Sequence, residues 1–215
     1  MIIGAIYKRL SKIIFDYYDY IHDILYCGVS LNIVFPQNVC ANEEYTDSQS
    51  CRYIIIKKIF QNVNLSGNDH FLEVGFGTGR VLAYLLHKNI SAKITGIEIN
   101  PLSYNYCLKW LKSSRIKLVR DDVFNIQLDS YSVFFLGHPF SFDVFRGFIN
   151  KIETELTHKI LLICVIDLEY GDYLDSKQCW SLISREQLFK YNYLYLLKTA
   201  NRFSIWSYNP QTSLL

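Results

Sequence analysis

A mostly parallel α/β sheet with helices on both faces is what this sequence predicts. Three observations predict it. A short apolar strand, Asp69 to Val74, runs into glycines on alternate positions, Gly75, Gly77 and Gly79, and then directly into an apolar helical run, Val81 to Leu86. A second apolar strand, Lys93 to Glu98, ends in a carboxylate 19 residues beyond Gly79. From Asp69 onward strands and helices alternate, the pattern of a parallel sheet.

Before that alternation, apolar residues from Ile3 to Leu25 recur every three or four positions, as on an amphipathic helix. Its polar residues, Lys8, Arg9, Lys12, Asp16, Asp19 and Asp23, read as a solvated face. Residues 27–50 collect Pro36, Asn38, Asn42, Glu43, Glu44 and Asp47 and read as a loop, which divides an N-terminal helix and lid-like loop (1–50) from one compact unit (51–215). Arg52 to Val63 predicts a second helix. Asn100-Pro101 pairs a capping side chain with a proline at the first helical position, so a helix runs to about Leu111. Strands are expected at Ile116–Val119, Ser132–Leu136 and Lys159–Ile166, with a helix over Phe142–Leu156. Beyond them, Asp167–Gln178 reads as a polar loop and Ser184-Arg-Glu-Gln187 as a capping box for a short helix. Tyr193–Lys198 and Phe203–Tyr208 read as two final strands.

The glycine loop carries the chemistry. Glycines between a strand and a helix permit positive φ and bring a ligand close to main-chain N–H groups at a helix N-terminus. The spacing is Glu73-x-Gly75-x-Gly77-Thr78-Gly79, whereas a dinucleotide fingerprint needs its third glycine one position later, where this chain has Arg80. Glu98 stands where a nucleotide fold places an acid for ribose hydroxyls.

On these residues the chain resembles the class I S-adenosylmethionine-dependent methyltransferases. Glu73, Gly75, Gly77, Thr78 and Gly79 are similar to the family's first motif, and Glu98 to its ribose acid. Val119-Arg-Asp-Asp122-Val123 is similar to the segment that contacts adenine, with the Asp122 side chain at the exocyclic amine and the Val123 backbone at the ring. Phe134-Phe-Leu-Gly-His138-Pro139-Phe140 stands where many members carry Asn-Pro-Phe, so His138 replaces the usual amide or acid. The resemblance covers roughly residues 50–209. It implies a Rossmann-like seven-stranded sheet with an antiparallel C-terminal hairpin strand and an N-terminal helical extension. It also implies S-adenosyl-L-methionine as cofactor, with His138 as a base or acceptor-binding group and Pro139 and Phe140 on the acceptor side. Glu44-Tyr45-Thr46 resembles a lid motif and adds Tyr45 to the substrate-binding set.

Composition narrows the partners. A formal net charge of +2 and the lack of a Lys/Arg-rich run point away from nucleic acid. The six cysteines are scattered without a Cys-x-x-Cys pair, so the expectation is free thiols in a reducing cytoplasm and no metal. Lys8 and Arg9 interrupt the apolar start, so neither export nor a membrane span is expected. The reading is therefore a methyltransferase with an unidentified nitrogen or oxygen acceptor, on a protein or small molecule. A module that binds the cofactor without turnover and a nicotinamide-dependent oxidoreductase stand as alternatives, and the oligomeric state is open.

Overall fold

The computed structural model describes residues 2–36, 50–165, 168–187, 190–191, 194–195 and 202–210. Tyr45, with the rest of the expected lid motif, lies outside them. Helices α1 (Ile2–Cys27) and α2 (Tyr53–Asn62) precede β1 (His70–Val74), α3 (Arg80–His87), β2 (Lys93–Ile97), α4 (Pro101–Trp110) and β3 (Ile116–Val119). A 3-10 turn at Val123–Asn125 leads to β4 (Val133–Leu136), α5 (Phe142–Glu155), β5 (Ile160–Val165), α6 (Leu168–Asp175) and β6 (Trp180–Gln187). The short strands β7 (Lys190–Tyr191) and β8 (Leu194–Tyr195) pair with each other, and β9 (Arg202–Tyr208) ends the sheet in chain order.

Seven strands form one sheet in the order β3-β2-β1-β4-β5-β9-β6. Strands β1 to β5 pair in parallel, and β9 runs antiparallel to both β5 and β6. This is the Rossmann-like seven-stranded architecture expected. Both sheet faces are covered. On one, Tyr53, Ile56 and Ile59 of α2 and Val81, Leu82 and Leu85 of α3 pack with Phe71 and Phe135. On the other, Val144, Phe145, Phe148 and Ile152 of α5 pack with Leu72, Phe134 and Leu162. Consecutive strand residues point to opposite faces, so Phe134 and Phe135 serve different cores.

The expected boundaries of α2, α4, α5 and β1 to β5 agree with the structure to within one or two residues. Asn100 caps α4 as anticipated, its Oδ1 accepting from the N–H groups of Leu102 (2.9 Å) and Ser103 (3.4 Å).

Four expectations are corrected. Ser184–Gln187 opens no helix but belongs to β6, because β9 presents a second edge of main-chain groups that must be paired; Ser184 lies opposite Ile205 and Gln187 opposite Arg202. The described part of the strand expected at Tyr193–Lys198 pairs only with β7, so β6 replaces it as the partner of β9. The segment after β5 is helical rather than a polar loop, since Tyr170 and Leu174, one turn apart, are buried together, Tyr170 stacked on Phe145 with centroids 3.8 Å apart.

The fourth correction concerns α1. Its acidic residues do not form a solvated face: Asp19 and Asp23 are 2% and 0% exposed. Arg80, the first residue of α3, grips Asp23 with two bonds, Nε to Oδ1 at 3.0 Å and Nη2 to Oδ2 at 2.9 Å. Arg52 bridges Asp19 (2.9 Å) and Asp16 (2.7 Å), and the Tyr53 amide donates to Asp19. The helix therefore turns its acids inward and much of its apolar stripe outward. Leu10, Ile13, Ile14, Tyr17, Ile21, Ile24 and Leu25 are exposed.

Candidate functional site

The site is assembled at the carboxyl ends of β1 and β2, where ligands bind in open α/β sheets. Gly75, Gly77 and Gly79 have φ of +69°, +57° and +90°, the left-handed region where a Cβ is strained. The loop is fastened from two sides. The Gly75 amide donates to the Ile97 carbonyl (2.9 Å), and the Gly77 amide to Glu98 Oε2 (2.7 Å). A Cβ on Gly75 would lie 2.7 Å from Pro139 Cβ, so the turn after β4 closes directly against the loop.

Two buried carboxylates face this loop in unlike states. Glu98 is satisfied, its Oε1 accepting from the Asn100 amide (2.8 Å) in addition to the Gly77 bond. Burial pushes its carboxyl up, opposed by the amides of Asn100, Gly77 and Ile99. Glu73 is 4% exposed and its Oε2 has no hydrogen-bond partner. Burial, and then the charge of Glu98, hold the Glu73 carboxyl well above the usual range. A buried acceptor without a donor costs about 1–3 kcal/mol, which a cationic or N–H-bearing ligand would offset.

This state has a pH signature. A carboxyl with a raised folded pKa binds its proton more tightly folded than unfolded. Its contribution to stability is then present below the unfolded value, near 4.5, and is lost as pH rises through the folded one. Ligand-free protein is therefore expected to lose stability on going from pH 5 to pH 8. Glu73→Gln should make that slope shallower, leaving the share of Glu98 and Asp19, whose carboxyls burial also pushes up, and should melt higher than wild type at pH 8, by about 1–3 kcal/mol in stability. Parallel slopes for the two proteins would show that Glu73 is not one of the groups responsible.

The remaining expected residues divide into four situations. Asp122, half-buried after β3, accepts from the Phe124 amide (3.0 Å) and caps the turn that begins at buried Val123. His138 has φ of +68°, uncommon for a residue with a side chain, and stacks on Tyr170 with centroids 5.5 Å apart. Pro139 packs on the loop, whereas Phe140 is buried among Phe124 and Phe148, and its carbonyl accepts from the Tyr170 hydroxyl (2.6 Å). Thr78 is fully buried and bonded to the N-terminal segment: its hydroxyl donates to the Leu31 carbonyl (2.7 Å) and is hydrogen-bonded to Ser50.

Sequence reading missed how closely the N-terminal segment joins this site. The Tyr106 hydroxyl donates to the Ser30 carbonyl (2.5 Å), Phe35 lies against Tyr106, and Asn100 Nδ2 donates to the Pro36 carbonyl (3.3 Å). Residues 28–36 thus run from α1 past the glycine loop to the residue two beyond Glu98. The available signal was the spacing of Asp16, Asp19 and Asp23 along one helix face, which needs Arg80 and Arg52 to acquire meaning. Burial keeps Cys51, in the same region, a thiol with its pKa pushed up to about 12.

No family model matches the sequence, and no curated protein matches it. Solved structures do. A Salinibacter ruber RNA methyltransferase in complex with S-adenosyl-L-homocysteine superposes with a TM-score of 0.54 at 13% identity, over 74% of this chain and 93% of that one. A dimethyladenosine transferase from Plasmodium falciparum gives 0.53 at 16% identity, over 75% and 63% of the two chains. The O-MT segment of StiE gives 0.56 at 14%, over 73% and 74%. At such identities the likeness concerns the fold. The chain has the seven-stranded, Rossmann-like fold found in these methyltransferases.

Proposed function

We propose that this chain is an S-adenosylmethionine-dependent methyltransferase acting on a nitrogen or oxygen acceptor. The observation that carries this reading is the pair of buried carboxylates beside a glycine loop of positive φ, one of them, Glu73, with its Oε2 unpartnered. The pair fits S-adenosylmethionine, which brings an ammonium group and two ribose hydroxyls. Glu73 would hold the ammonium, with Gly75, Gly77, Thr78 and Gly79 forming the main-chain cradle. Glu98 would accept from the ribose hydroxyls, and Asp122 and the Val123 backbone would take the adenine. When bound, the cofactor supplies a methyl group already activated by a positive sulfur. The chain's own work is then proximity, orientation and removal of a proton from the acceptor. His138 would remove or hold that proton, with Pro139, Phe140 and Tyr45 shaping the acceptor side.

A nicotinamide-dependent oxidoreductase would share the sheet. Here, however, the position of the third fingerprint glycine is Arg80, which is buried and paired with Asp23. Two of the compared structures are an RNA methyltransferase and a dimethyladenosine transferase. The lack of a Lys/Arg run is therefore no reason to leave RNA out of an acceptor screen beside proteins and small amines.

The test is a thermal or chemical melt with ligand. S-adenosylhomocysteine at a hundredfold its dissociation constant should stabilise the chain by about 2.7 kcal/mol. A melt unmoved by it but raised by NADH would overturn the assignment. A methyl-label screen of cell extract, with RNA and protein fractions separated, then finds the acceptor. Binding without formation of S-adenosylhomocysteine in any fraction would favour a non-catalytic module.

A further inference from the structure

Helix α1 presents an exposed apolar face whose spacing is that of a coiled-coil seam. Leu10, Ile14, Tyr17, Ile21 and Ile24 follow one another at alternating steps of four and three, the a/d repeat by which helices pair. Ile13, Tyr20 and Leu25 widen the seam, and Ile14, Tyr17 and Leu25 are about two-thirds exposed, at 65%, 65% and 68%. The charged residues between Leu10 and Leu25 lie on the opposite side of the helix. Asp19 and Asp23 are buried against Arg52 and Arg80, and Lys12 is paired with Asp16.

From this we infer that two copies of the chain associate through α1, running antiparallel about a two-fold axis near Tyr17. A face of this kind is self-complementary, as an isologous contact requires, and it meets its own copy without like-charge repulsion. Its eight side chains expose an area of the order of the ~800 Å² that each partner contributes to a stable interface. Polarity selects the antiparallel arrangement. Arg9 stands at the start of the seam and no basic residue lies in the last turn of α1, so antiparallel packing sets Arg9 of each copy beside the carbonyl end of the other helix. Leu10 of one copy then faces Ile24 of the other, and Tyr17 meets Tyr17. A lipid surface is a poorer occupant. Helices that lie on membranes are rich in Lys and Arg on the polar face, whereas this polar face mixes Lys8, Arg9 and Lys12 with Asp16, Asp19 and Asp23, and its acids are taken up by the chain's own arginines.

The experiment is sedimentation equilibrium on the full chain, with and without phosphatidylglycerol vesicles in a parallel flotation assay. Wild type should have twice the chain mass at about 100 μM, and Ile14→Glu/Ile21→Glu, both exposed positions, should have the chain mass with an unchanged far-UV spectrum. A monomeric wild type overturns the inference, whether or not it floats with the vesicles. Should the double variant fail to fold, single cysteines decide. Under oxidation Tyr17→Cys should cross-link the two copies, whereas Leu10→Cys should remain largely uncross-linked. Absence of a Tyr17→Cys cross-link, or equal cross-linking of both, overturns the antiparallel pair.

Discussion

Arg80→Met is expected to destabilise the chain by about 3–5 kcal/mol, because removing one partner of a buried ion pair strands the other. Asp23, fully buried, would lose both Arg80 bonds and keep the Leu31 amide (2.8 Å) at its carboxylate. Asp19 would lose the more distant Arg80 charge (3.6 Å) but keep Arg52 (2.9 Å) and the Tyr53 amide (3.0 Å). Burial already pushes its carboxyl up even with the Arg80 and Arg52 charges opposing, and Arg80 is the larger of those two opposing charges. Methionine fills much of the lost volume, so the loss reports the charge rather than a cavity. Urea unfolding measures it, and a loss below about 1 kcal/mol, the value of an exposed pair, would show that the network is not what holds α1 to α3. Adding Asp23→Leu and Asp19→Leu to Arg80→Met should recover much of the stability, as replacing a whole buried ionic group by apolar side chains does elsewhere. Because Arg80 directly follows Gly79, the same variant should loosen the glycine loop, and hydrogen exchange at Gly77 and Gly79 should rise with that at the end of α1.

Glu98 and His138 are expected to separate binding from turnover. Charge-assisted hydrogen bonds are worth about 1.5–3 kcal/mol each, so Glu98→Ala should weaken S-adenosylhomocysteine binding at least tenfold. The structure adds a second reason for that loss: Glu98 also accepts from the Gly77 and Asn100 amides, so its removal frees the loop as well as the ligand. His138 should hardly touch cofactor affinity, but if it removes a proton, His138→Ala should cut turnover about a hundredfold or more. The backbone supplies a control. His138 sits at φ +68°, which asparagine tolerates better than alanine, and asparagine is what the family resemblance places here. If His138→Asn retains turnover while His138→Ala loses it, the position serves the turn and not the proton. Calorimetry with S-adenosylhomocysteine tests the binding half without any acceptor, and weaker binding in His138→Ala than in Glu98→Ala would reverse the two sides of the crevice.

Local chemistry alone determined most of the sheet and the centre of the site. The apolar strands, the Asn100-Pro101 cap and the glycine spacing act within a few residues of themselves, so β1 to β5, α4 and the loop with Glu73 and Glu98 are legible in the amino-acid order itself. Signals that depend on a distant partner are not. Ser184–Gln187 has the local form of a helix start, and only the free edge of β9 makes it a strand. Tyr170 and Leu174 look polar in context because four of the eight residues of α6 are neither aromatic nor aliphatic, and Phe145 on α5 decides that they are buried. Asp19 and Asp23 invert the reading of α1. A carboxylate is solvated by default, and it becomes the inward face of a helix only when a second element, here Arg80 at the head of α3, brings the opposite charge into the core.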